Sequence, residues 1–255
     1  EGELLPEVFH GEMIHAEPGN NVVRSYPVEN DGAGYKGSIV NILEAQKDQW
    51  FRPIDVAVAP DGSLFVADWY DPGVGGHQAG DVDRGRIYRI APKGTDYKNP
   101  GVDVATTEGA LKALVNPNSA ARYLGWSALA SAGNSAENAL KELWTTGNQR
   151  QKAQAIWLLS RLTGKEDEYI NLALTDQDPN LRITGIRIVR SMKKDILPVA
   201  TTLVNDPSPQ VRREVALAIR GNNTPEAARL WTALAKQYDG KDRWYLEALG
   251  ISASP

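Results

Sequence analysis

The residues best suited to chemistry lie between Arg52 and Arg84. After Asp68 comes Trp69-Tyr70-Asp71-Pro72-Gly73-Val74-Gly75-Gly76-His77-Gln78-Ala79-Gly80-Asp81-Val82-Asp83, a run rich in glycine, acid and aromatic side chains. Its glycines permit backbone angles closed to other residues. Asp68, Asp71, Asp81 and Asp83 carry the oxygens that a hard cation such as Ca2+ takes. His77 is the side chain here able to act as a base, and Arg52 is the cation able to face a substrate. Trp69 and Tyr70 offer faces on which a sugar or cofactor ring can stack. Each of these has a plainer reading: Asp68 capping the turn after its strand, His77 exposed on a loop, Arg52 anchoring loop carbonyls, and the aromatics packed on neighbouring structure. Both readings stay open at this point. His10 and His15 fall at or within a strand and read as packing or surface residues.

The placement of these groups follows from the flanking pattern. Ile54-Asp55-Val56-Ala57-Val58 alternates, Pro60-Asp61-Gly62 turns, and Ser63-Leu64-Phe65-Val66-Ala67 alternates back, which predicts an antiparallel hairpin. Arg52 and the segment after Asp68 therefore meet at the end opposite the turn. Long loops held on a rigid scaffold are where binding residues tend to sit. Gly85-Arg86-Ile87-Tyr88-Arg89-Ile90 predicts a third strand. An earlier copy exists: Gly11 to Glu17 matches Gly62 to Asp68 position for position, and Asn21 to Val28 matches the third strand. Such copies are the sequence form of propeller blades. About one and a half are present, whereas a propeller closes with four or more. The remaining blades are expected upstream or from another molecule, so the chain is read as a piece of something longer.

The second half follows another period. In rows of thirty, Leu114, Trp144, Leu174, Val204 and Leu234 share a column; Arg122, Lys152, Arg182 and Arg212 share a second, closed by Asp242. A third holds Leu129, Leu159, Val189, Ile219 and Leu249. Within each row two helically spaced segments flank breakers such as Asn205-Asp206-Pro207-Ser208-Pro209, so each row predicts a helical hairpin, starting near 108, 135, 167, 193 and 224. One hairpin cannot bury its apolar face alone, but five stacked ones share a continuous core. The Asp-Pro turn with a basic residue six positions after the Asp (Asp176 to Arg182, Asp206 to Arg212) resembles HEAT repeats and predicts a right-handed stack. Trp126, Trp144, Trp157 and Trp231 read as core. Each side chain of the basic column is expected to reach the acidic or amide group at the preceding hairpin turn and to fix register while adding little stability at the surface.

The expected fold is thus two-domain α+β: partial β-propeller over 1–92, a linker over 93–107, and an α-solenoid of about five HEAT-like hairpins over 108–255. Of the 255 residues, 42% are hydrophobic and 24% charged, with a net charge of -4, which gives no footprint for a nucleic-acid partner. No apolar run is long enough to insert into a membrane. With no cysteine, the chain can hold no disulfide, thiolate metal site, cysteine nucleophile or covalently attached c-type haem.

Here a family resemblance enters. Trp50-Phe51-Arg52-Pro53-Ile54-Asp55-Val56-Ala57-Val58-Ala59-Pro60-Asp61-Gly62-Ser63-Leu64-Phe65-Val66-Ala67-Asp68-Trp69-Tyr70-Asp71-Pro72, together with Arg84 to Ile90, resembles the large membrane-bound dehydrogenase family of planctomycetes, verrucomicrobia and Bacteroidetes. Asp242-Arg243-Trp244-Tyr245-Leu246-Glu247-Ala248-Leu249-Gly250 resembles the end of that family's repeats. The family places HEAT repeats after a sugar-dehydrogenase-like propeller, often followed by a c-type haem domain. More loosely, the loop resembles the glycine-rich loop of soluble quinoprotein sugar dehydrogenases. That likeness implies pyrroloquinoline quinone with Ca2+ in the full-length parent, Gly75 and Gly76 joining Trp69 and Tyr70 at the cofactor, and a periplasmic or extracytoplasmic location. Three functions follow: part of a sugar or alcohol oxidoreductase, inactive as this segment alone; a module binding a protein partner on the HEAT surface; or a glycan-binding or hydrolytic rim, which the lack of suitably paired carboxylates disfavours.

Overall fold

A computed structural model describes residues 3–73 and 83–253. It divides into two compact units, Glu1–Glu29 with Gly37–Gly125 and Asn30–Lys36 with Trp126–Pro255. The strands in chain order are β1 Met13–Glu17, β2 Val22–Tyr26, β3 Val28–Asp31, β4 Gly34–Gly37, β5 Val40–Glu44, β6 Pro53–Val58, β7 Leu64–Asp68 and β8 Arg86–Ile90. They form two antiparallel three-stranded sheets, ordered β1-β2-β5 and β6-β7-β8, and the β3-β4 hairpin. A closed propeller is not formed among the described residues.

The first unit is built as its alternation predicts. In β7, Leu64, Val66 and Asp68 are buried while Phe65 and Ala67 are only partly covered. At the turn, Gly62 adopts φ +84°, and the Asp61 Oδ1 atom accepts from the Ser63 amide at 2.9 Å and its hydroxyl at 2.6 Å. Val23, Phe51, Leu64 and Val66 form the core of this unit, joined by Ile14 and Leu43 from the first sheet and Val56 and Tyr88 from the second.

Two features differ from expectation. The segment matched to a third strand over 21–28 ends as β2 at Tyr26, and β3 begins a separate hairpin at Val28. The first helices, α1 Thr107–Leu114 and the start of α2 Ser119–Ala132, group with the strands rather than with the solenoid. Asn118 gives the reason. Its Oδ1 accepts from the Ala120 and Ala121 amides at 3.0 and 3.1 Å, starting α2, while its Nδ2 donates to Ala59 O at 3.1 Å.

The helical hairpins continue with α3 Glu137–Thr146 and α4 Gln149–Leu159, α5 Glu166–Leu174 and α6 Pro179–Ser191, α7 Leu197–Leu203 and α8 Pro209–Ala218, and α9 Pro225–Ala235 and α10 Arg243–Ala253. Asn148 and Gln151 make a reciprocal capping box on α4, and Asp178, Ser208 and Thr224 cap helices that open with proline. α4, α6, α8 and α10 pack in succession. The repeat column Leu129, Leu159, Val189, Ile219 and Leu249 is buried throughout.

Corrections concern the large and the charged residues. Trp126, Trp144, Trp157 and Trp231 are half-buried rather than core; an indole is rarely engulfed completely, and that of Trp231 packs against the core cluster while donating to Ser252 Oγ at 3.0 Å and Leu249 O at 3.2 Å. The arginine column reaches backbone oxygens: Arg122 donates to Asn116 and Pro117, Arg182 to Asp176 and Gln177, and Arg212 to Asp206 and Pro207. All six are carbonyls of the turn that follows a helix, beyond Leu114, Leu174 and Leu203. Arg182 also grips Asp206 of the next turn through two 2.8 Å bonds, with side-chain exposures of 11% and 4%, so this pair is not a surface one.

Candidate functional site

The predicted rim lies where β6 begins and β7 ends, with Pro53 opposite Asp68. Beyond the sheet the two segments stay paired: the Trp69 amide donates to Arg52 O at 2.9 Å and the Asp71 amide to Trp50 O at 3.0 Å. The hairpin thus brings Arg52, Asp68, Trp69, Tyr70 and Asp71 together. Asp83 is exposed near the start of β8. His77, Gly75, Gly76 and Asp81 lie outside the described residues.

Asp68 is the centre of this rim. Its side chain is fully buried; Oδ1 accepts from the Arg52 amide at 2.7 Å and the Tyr70 amide at 3.0 Å, while Oδ2 takes Arg86 Nε at 2.8 Å and Nη2 at 2.7 Å. Arg86 stands opposite Asp68 in the β7-β8 register and also reaches Asp48 Oδ2 at 3.0 Å. Burial alone would lower the Arg86 pKa, but Asp48 and Asp68 outweigh it and hold the guanidinium above its usual value. Asp71, likewise buried, accepts from the Gly73 amide at 2.7 Å and the Trp69 indole at 3.0 Å. A calcium ion drawn to Asp68 and Asp71 would have to displace these donors. Among the described residues no three acidic or histidine side chains converge.

The Arg52 guanidinium spans carbonyls, donating to Phe51 O at 3.1 Å and Pro72 O at 3.4 Å. It therefore points toward the loop and holds its first turn. Tyr70 has φ +53°, an uncommon angle for an aromatic residue, held by the hydrogen bond its backbone N–H donates to Asp68 Oδ1. Its ring covers Arg86, with Cζ 4.0 Å from the centroid, and leans on Trp50 at 5.6 Å. Trp69 and Trp50 remain 53% and 39% exposed. The arrangement is a hydrogen-bonded, ion-paired platform beside two partly exposed indoles, chemically suited to stacking a planar or sugar ring.

Sequence reasoning missed Asp48, Trp50 and Arg86. The signal for Arg86 was present: once 64–68 and 86–90 are read as an antiparallel pair, the carboxylate and the guanidinium fall opposite one another. The opposite end of the hairpin carries a second feature, an open cavity of about 720 Å³ within the first unit, bordered by Leu4, Asp61, Thr95, Lys98, Asn116 and Asn118. Arg89 ties two of the bordering residues together, donating to Asp61 Oδ2 at 2.8 Å and Thr95 O at 2.9 Å. No curated protein matches the chain. Family comparison instead assigns residues 1–94 to a domain of unknown function (DUF7133) and residues 166–250 to HEAT repeats, the second match running from the start of α5 into α10.

Proposed function

We propose that this chain is a binding and assembly module whose HEAT repeats present a recognition surface. HEAT repeats suggest protein interaction or assembly as a class. The observation that carries the reading is that the second unit already seats a non-helical segment, residues 30–36, through side chains of α8 and the start of α10. The state of the rim supports it from the other direction, because the carboxylates of Asp68 and Asp71 are committed to protein donors. A photo-crosslinking residue at Leu246, 50% exposed on α10, tests it. In extracts of the source organism it should give one saturable adduct, competed by excess unlabelled chain. A smear, or no competition, would sink the proposal.

A second reading is a segment of a sugar or alcohol oxidoreductase, with a quinone and Ca2+ held largely by other parts of the parent. Exposed Trp69 and Trp50 favour it, as does Ile87, 76% exposed on β8, since a neighbouring blade would cover such an apolar residue. A cross-linker at Ile87 separates the readings: adducts there and not at Leu246 would favour the propeller.

A further inference from the structure

The tip of the β3-β4 hairpin carries the sequence Asn30-Asp31-Gly32-Ala33-Gly34-Tyr35-Lys36 and belongs to the second unit. Its central residue, Ala33, is completely buried and joins the core cluster that contains Val211, Val215 and Tyr245. Polar bonds surround that methyl group. The Ala33 amide donates to Asp242 Oδ2 at 2.7 Å, and its carbonyl accepts from the Arg213 guanidinium. Gln210, itself 4% exposed, donates to Gly34 O at 3.1 Å and to Asn30 Oδ1 at 3.0 Å. Asp242 is held for this task, since its other oxygen accepts from the Tyr245 amide at 3.0 Å and opens α10.

The seat also reads size. A Cβ on Gly34 would overlap the Trp244 indole, and Gly32, at φ +55°, has the Asp242 carboxylate where its Cβ would go. Tyr35 lies within 5.9 Å of Arg213 Cζ. The seat combines a filled apolar pocket, side-chain partners for the Ala33 amide and for the Ala33 and Gly34 carbonyls, and steric exclusion of larger residues.

From this geometry we infer that the surface formed by α8 and the N-terminus of α10 is a receptor for a glycine-flanked, small-residue turn, and that it binds the turn of residues 30–36 as a ligand independent of the chain connection. The inference rests on the binding-module reading and names its ligand: a tight turn of Gly-Ala-Gly type with an asparagine three residues before the buried alanine.

The test uses the full chain with its own turn unseated by Gly34→Val or, independently, by Ala33→Arg, each checked for native helical circular dichroism. The probe is a backbone-cyclised, fluorescently labelled peptide of residues 28–37, followed by anisotropy. The unseated chains should bind it at least ~10-fold more tightly than the wild type, whose seat is filled, and Asp242→Ala added to either should return affinity to the wild-type level. A peptide carrying Gly34→Val should not bind. Equal binding by the wild type and the unseated variants, or no binding by variants that keep their helical signal, overturns the receptor. A failed peptide with a competed adduct at Leu246 would leave the broader binding reading standing, so the two failures are distinguishable.

Discussion

Asp68 shows how a residue chosen for its chemistry can be spent on architecture. Its three hydrogen-bond donors come from Arg52, Tyr70 and Arg86, and its side chain is inaccessible to water. Asp68→Asn leaves the Arg86 charge half-paired and replaces an acceptor oxygen with an amide group facing donors. It should cost about 3 kcal/mol by urea unfolding, the scale for breaking a buried ion pair from one side. Asp83→Asn, on an exposed residue, should stay within about 0.5 kcal/mol. At the other end of the hairpin, burial would raise the Asp61 pKa, but bonds from the Ser63 hydroxyl and amide and from Arg89 overcome it and bring the pKa to about 2. A carboxyl depressed on folding contributes stability above its unfolded pKa, near 3.8, and that contribution disappears as pH falls through about 2. Stability measured from pH 4 down to 2 should therefore fall less steeply in Asp61→Asn than in the wild type. Parallel profiles would show that the charge contributes nothing.

Between elements, close approach matters more than propensity. Gly125 sits within α2 where a Cβ would overlap the backbone of Ala110 and Leu114 in α1. Exchanging glycine for alanine inside a helix ordinarily gains about 1 kcal/mol. Here the two helix backbones would have to separate, and Gly125→Ala should instead cost about 2 kcal/mol, in the range for overpacking. A variant as stable as the wild type in thermal unfolding would mean that α1 moves freely. The hairpins themselves were legible because the repeat column stays buried from Leu129 to Leu249, and the strands because Leu64 and Val66 alternate with less covered neighbours. The β3-β4 hairpin was not legible. Its glycines and alanine carry no apolar alternation, and the reason Ala33 is buried lies in Arg213 and Asp242, 180 and 209 positions away. At the rim, hairpin topology was enough to gather Arg52, Asp68 and Tyr70, but not to tell that the carboxylate would be saturated by Arg86. Sequence shows which groups are adjacent; the number of donors each acceptor receives is settled by packing.

For the whole chain, the question is whether the rim can turn over a substrate unaided. A propeller's site is assembled around its axis from several blades, and the described strands make two three-stranded sheets and a separate hairpin. The rim described here offers aromatic faces at Trp50 and Trp69 and a neutralised Arg86-Asp68 pair. An alcohol oxidation requires a base to take the hydroxyl proton and an acceptor for the hydride. Asp68 cannot serve as that base while Arg86 and two amides hold its oxygens, because its side chain is fully buried and both oxygens face protein donors rather than a substrate hydroxyl. Asp71 is in the same position between Gly73 and Trp69. Purified chain mixed with pyrroloquinoline quinone, Ca2+, an artificial electron acceptor and a panel of sugars and alcohols should accordingly reduce the acceptor no faster than a protein-free control. If turnover appears, Asp68→Asn and His77→Ala locate its source. Loss in the second variant alone would assign the base to the loop, and loss in neither would place it elsewhere in the chain. Any such turnover would sink the reading of this chain as an assembly module without chemistry of its own.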